Sequence, residues 1–284
     1  MIRLDAASIL LQWSVGGLAF LWVTTRRREV GIGYGWLLRS TFLLLAGASV
    51  VVGRASGSSA VRDGSAVGVV LATGVALVVS VVRRRAGVAG ERQRLAARSA
   101  RVADMTGIER NPDGPDPTVP EFPPALDLVA PVVGLIGLVA AGLAAGSPAW
   151  LAVARTVVGA LFLGSVTDAM LLGHWYLVQP GLARGPLLDL VRWTGVLWPF
   201  EVIVLLLPTG MISVLDGRID DGYNGILGWM WLTCAVTTIG LVFVTRAALR
   251  ERQYSAVMAA TGLLYLAILT AFGTDLVARA VLSG

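Results

Sequence analysis

The chain has 284 residues, of which 56% are hydrophobic and 14% charged, with a net charge of +5. Soluble domains average about 45–50% apolar and about 25% charged residues, so this composition excludes an ordinary soluble domain and reads as a chain whose solvent is a bilayer. The basic balance does not indicate a nucleic-acid partner: all 23 basic residues are Arg, and they cluster at the ends of apolar runs, where they set topology.

The first apolar run, 6–24, ends at Arg26-Arg27-Arg28. A cleaved leader carries its positive charge before the apolar stretch, so this run reads as a retained helix. Further runs follow at 36–54, 65–82, 126–145, 149–178, 186–208, 225–245 and 256–280. Each is long enough to cross about 30 Å of hydrocarbon as a helix, and the runs are continuous rather than alternating, which excludes a barrel. The expected fold is an all-α, polytopic integral membrane helical bundle of about eight transmembrane helices.

Orientation follows from the arginines. Placing 26–28, 83–110, 184–192 and 246–252 on one side, with Arg39, collects 17 of the 23 Arg there. Positive loops stay in the cytoplasm, so both termini are expected outside (N-out/C-out). The implied location is a cell (plasma) membrane, and the Arg-, Ala-, Gly- and Val-rich composition points to a bacterial, GC-rich genome.

Three segments result: a three-span unit at 1–82, a cytoplasmic linker at 83–124 and a five-span unit at 125–284. The linker begins Arg-rich, as a helical extension suited to anionic headgroups, and becomes Pro-rich and acidic over 111–124, where extended or disordered chain is expected. Trp13 and Trp198 lie deeper than the interfacial tryptophans and are expected to pack between helices.

Ionisable residues inside apolar runs are the sharpest functional signal, since each costs at least about 2.5–3.5 kcal/mol at a helix centre. Asp168 and Glu201 are the candidate proton-exchanging (catalytic) residues, and His174, with Thr167, Gly173 and Trp175, the candidate ligand-binding group. Asp168 and His174 lie on different helical stripes, and Gly173 leaves room for a neighbouring helix or a ring-shaped ligand. Glu201 follows Pro199, which removes a backbone donor and favours a kink. Simpler roles suffice for Asp275 and Arg279, four apart, for Asp189 and Arg192, three apart, and for Asp127 in a first helical turn.

Two functional readings use these residues. In one, the chain is the quinone-interacting membrane anchor of a redox complex: His174 donates to a quinone carbonyl, a carboxyl exchanges the proton, and a partner subunit supplies electrons. In the other, the same carboxyls belong to a proton-coupled transporter. A non-catalytic scaffold is the plain alternative. One Cys and one His exclude an intramolecular disulfide, a multi-cysteine cluster and bis-histidine haem within the chain, so no cofactor is expected in the chain itself. The acidic loop from Asp216 to Gly225 lacks calcium-loop spacing and reads as turn chemistry.

Overall fold

The computed structural model describes residues 5–57, 59–106, 116, 118–146, 148–179, 182–208, 210–251 and 253–282, without the side chain of Arg98. Residues 111–115 and 117 of the expected extended segment lie outside these. The described residues form helices α1 (Ala6–Thr25), α2 (Ile32–Ser56), α3 (Ala60–Val82), α4 (Ala89–Thr106), α5 (Val129–Ala145), α6 (Ala149–Val178), α7 (Gly185–Leu206), α8 (Gly210–Leu215), α9 (Ile226–Arg250) and α10 (Tyr254–Leu282). No strand occurs among them.

The protein is an all-α polytopic helical bundle. Seven helical stretches, with Pro124–Leu128 joined to α5, are long and apolar enough to span a bilayer. Of the two other long helices, α4 has 18 residues and is Arg-rich, and α7 has 22 residues but carries Asp189, Arg192 and Glu201. Two spans begin well ahead of their apolar runs: α2 starts at Ile32 rather than 36, and α3 at Ala60 rather than 65. In α3 this takes Arg62 and Asp63 into the helix, where Arg62 bonds Asp63, Asp5 and the Gly57 carbonyl. The charges are locally neutralised and the helix runs on through them.

The helices at the centre are α1 and α6, each more than half buried. Against α1 lie α2 and α5, with α3 packed on both; against α6 lie α7 and α10, with α9 packed on both. Helix α5 also packs on α6. Small residues bring α1 and α6 together: a Cβ built on Gly16 would lie 1.7 Å from the Ala160 carbonyl oxygen, and one on Gly164 2.1 Å from the Gly16 carbonyl carbon. In lipid no hydrophobic force drives helices together, so close backbone packing of this kind supplies the attraction. Side chain to backbone bonds add to it, as Ser14 Oγ donates to the Phe42 carbonyl at 2.8 Å and Ser49 Oγ to that of Ala7 at 2.7 Å.

The end of the bundle holding Asp5, Arg62 and Asp221 is called outer below, following the arginine distribution. At the inner end, Arg39 corrects the expectation for Asp127. Asp127 does not simply meet a helix dipole: it lies in a short 3-10 turn before α5 and binds Arg39 of α2 through two 2.8 Å bonds, with Thr25 Oγ1 donating at 2.9 Å. Asp189 likewise pairs with Arg27 of the α1–α2 loop rather than with Arg192. A tertiary partner of opposite charge was closer than the local one. Arg28 and Arg92 converge on Glu121, and Arg184 bonds carbonyls of the α9–α10 connection, at Leu249, Glu251 and Gln253.

Candidate functional site

Helix α6 contributes an unbroken buried stretch from Phe162 to Ala169, so its polar residues face protein on every side. Asp168 is fully buried, and neither carboxyl oxygen has a hydrogen-bond partner. Tyr34 of α2 packs beside it, with its hydroxyl donating to the Asp168 backbone carbonyl at 3.4 Å. Thr167 accepts from Trp13 Nε1 at 2.9 Å and donates to the Leu163 carbonyl at 2.7 Å. Trp198 Nε1 similarly donates to the Ala235 carbonyl at 2.9 Å, so both deep tryptophans pack between helices with their one donor engaged.

His174 does not join Asp168. Six residues further along the helix it faces out of the bundle, where its Nδ1 is 3.2 Å from the hydroxyl of Tyr265, itself 43% exposed. At Gly173 the available space belongs to α10: a Cβ there would sit 3.1 Å from Thr261 Oγ1. Trp175 donates to Gln179 Oε1 at 3.1 Å and leans on Tyr34 with ring centroids 6.2 Å apart. The six expected site residues therefore do not converge: Thr167 and Asp168 lie in the bundle interior, Gly173 against α10, Trp175 against Tyr34 of α2, His174 outward beside Tyr265, and Glu201 in a separate cluster.

That cluster brings together carboxyl, guanidinium and amide groups from four helices. Helix α7 continues through Pro199 and presents Glu201 inward, fully buried, with neither carboxyl oxygen accepting a hydrogen bond. Its charged neighbours are Asp275 and Arg279 of α10 and Arg155 of α6, and its carboxyl approaches that of Asp275. Arg279 Nε reaches both oxygens of Asp275, at 2.8 and 2.9 Å, as the four-residue spacing predicts. Gln12 of α1 adds an amide, Nε2 to Asp275 at 3.5 Å, and leaves its Oε1 buried and unpartnered.

Gly159 makes the cluster fit. A Cβ there would lie 2.6 Å from Gln12 Nε2, 2.8 Å from Asp275 Oδ1 and 3.2 Å from Arg279 Nη2. Arg155 is not the end-of-helix residue its position suggests. It is 6% exposed and caps the end of α7, donating from Nε to the Val204 carbonyl at 2.8 Å and from Nη2 to that of Leu207. These last carbonyls of α7 have no intrahelical donor, and the guanidinium supplies one where the chain turns into the short α8.

Above the cluster, at the outer end, lies a cavity of about 820 Å³ bounded by α1, α2, α3, α5, α6 and α10. Its polar lining includes Asp5, Ser8, Ser56, Arg62, Thr156 and Arg279. Arg279 thus belongs both to the cavity wall and to the buried carboxyl pair. No protein-family model matches this chain, nor does any curated protein or solved structure.

Glu201 was legible as an intramembrane acid, but its partners were not. Asp275 and Arg279 satisfy each other locally, and Arg155 reads as a helix-end residue. The available signal was depth: Gln12, Arg155, Glu201 and Asp275 all lie within about two turns of the outer ends of their helices.

Proposed function

We propose that this multi-pass membrane protein is a proton-linked transporter whose proton site is the Glu201–Asp275 carboxyl pair and whose outer vestibule is the cavity walled by Arg279. The observation that carries this reading is the juxtaposition of two buried carboxyls, one without hydrogen-bond partners, behind a cavity that Arg279 shares with them. Two adjacent carboxylates cannot both stay ionised in a low-dielectric interior without a large cost, so such a pair is a natural place to hold one proton. Arg279 couples that proton to the vestibule. When the pair is singly ionised the guanidinium is neutralised, and when it is fully protonated the guanidinium is released to an anionic group above it. Intramembrane ionisable residues of this kind characterise proton and substrate pathways. The inner end supports the same reading, because Arg39–Asp127 and the Glu121 ion pairs close the bundle opposite the cavity.

The test is proton entry into liposomes holding the full chain and a trapped pH-sensitive dye, driven by an imposed membrane potential. Entry is expected for the native chain and lost in Glu201→Gln. Equal rates for native chain, variant and empty liposomes would sink the reading.

A second reading, a quinone-interacting anchor subunit working with a redox partner, is favoured by the outward His174–Tyr265 pair, which offers hydrogen-bonding groups to a ring arriving from the lipid. It predicts that quinone co-purifies with the native chain and is lost in His174→Ala.

A further inference from the structure

Helices α1 and α10 approach each other without packing along their length. Trp13 meets Phe272, ring centroids 4.5 Å apart, and Gln12 reaches Asp275. Towards the outer end the two helices part, and a second, apolar groove of about 420 Å³ opens between them, lined by Ala6, Ile9, Leu276, Val277 and Ala280. Ala6 and Ala280 are exposed, and further down α10 Leu266 and Leu269 are 53% and 68% exposed, so this face of the bundle meets lipid.

Ala6 lines both the apolar groove and the polar cavity. A methyl group is therefore the threshold between a lipid-facing slot and a chamber with charged walls. Within the chamber Arg279 uses Nε on Asp275 and Nη2 on the Arg155 carbonyl at 3.4 Å, which leaves Nη1 without an acceptor among the described residues. Ser8, Ser56 and Ser59 add small polar groups to the same walls.

From this juxtaposition we propose that the site takes a single-chain amphiphile with an oxyanion head, phosphate or carboxylate, entering sideways from the outer leaflet between α1 and α10. The head lies in the cavity against Arg279, and the tail lies in the groove between Ile9 and Leu276. A guanidinium with a spare donor suits an oxyanion, and a slot without polar lining suits hydrocarbon. The inference rests on the proposed transport reading only in taking the cavity as the substrate vestibule.

The experiment is native mass spectrometry of the full chain in detergent with lysophosphatidate, monoacylglycerol and inorganic phosphate as probes. Lysophosphatidate is expected to be retained at one per chain, about tenfold more tightly than monoacylglycerol, and not to be displaced by inorganic phosphate. Ala6→Trp, an exposed position that closes the threshold, should lose that binding, while Arg279→Gln should lose the preference for the charged head. Displacement by inorganic phosphate, with Ala6→Trp behaving as native, would show a soluble-anion site and overturn the proposal. Equal retention of both lipids by native chain and Ala6→Trp would reduce the binding to ordinary belt lipid and overturn it too. Proton entry that depends on Glu201, together with lipid retention that Ala6→Trp leaves unchanged, would leave the transport reading standing while this one falls.

Discussion

Arg39 holds Asp127 by both oxygens, Nε on Oδ1 and Nη2 on Oδ2, each at 2.8 Å, with the two side chains 2% and 1% exposed. The pair joins α2 to the turn that starts α5, and Phe122 lies under the guanidinium with its ring centroid 4.2 Å away. Removing one partner leaves a buried charge without compensation. Asp127→Asn should therefore cost about 3–5 kcal/mol, whereas the double replacement Arg39→Met with Asp127→Leu should recover most of that loss. Thermal unfolding of the two variants in one detergent measures the difference.

The Glu201 cluster predicts an asymmetry between its two carboxyls. Glu201→Gln keeps the volume of a group that accepts no hydrogen bond, so folding should survive and proton entry should not. Asp275→Asn strips the counter-charge from Arg279, whose side chain is 4% exposed, and should lower stability by about 3–5 kcal/mol as well. Unfolding midpoints beside flux measurements separate the two effects. Equal destabilisation by both variants would show Glu201 to be a packing group only.

The α1–α6 crossing makes a steric prediction. Gly164→Ala drives a methyl into the backbone of Gly16, which cannot move aside as a flexible side chain would. A loss of about 1–3 kcal/mol is expected, with a reduced yield of folded protein. At Gly47 nothing lies within 4 Å of the added methyl, so Gly47→Ala should be neutral or mildly stabilising. Folded yield by size-exclusion chromatography compares the pair.

The outer loop offers a pH dependence. Desolvation pushes the Asp221 carboxyl up, but backbone N–H groups of Gly225, Tyr223, Leu227 and Gly228 donate to it and together leave it below the ordinary aspartate range. A lowered folded-state value means that the carboxylate stabilises the loop above the ordinary aspartate value, and that this is lost as pH falls through the lowered one. Amide NMR signals of Tyr223, Gly225 and Leu227 should titrate together in that acid range, and the titration should vanish in Asp221→Asn.

These sites show what a single sequence carries. Hydropathy marks the spans because each helix meets its solvent along its whole length, and the four-residue spacing of Asp275 and Arg279 marks their pair because both ends share one helix. Arg39 with Asp127 and Arg27 with Asp189 join different elements, and nothing local in the chain records which helices meet. Asp127 and Asp189 each had a sufficient local explanation, which concealed the tertiary one. His174 was legible as a residue of an apolar run, but the face of α6 that carries it, outward beside Tyr265, depends on which helices cover the others.

The two glycines at the α1–α6 crossing govern more than adhesion. Ala6 lies ten residues from Gly16, a lever of about 15 Å in a helix. A tilt of α1 by about 4° at that fulcrum moves Ala6 by about 1 Å across the mouth of the α1–α10 slot. The width of the slot is therefore set at mid-bundle, by how closely two backbones rest on each other, and only displayed at the outer end.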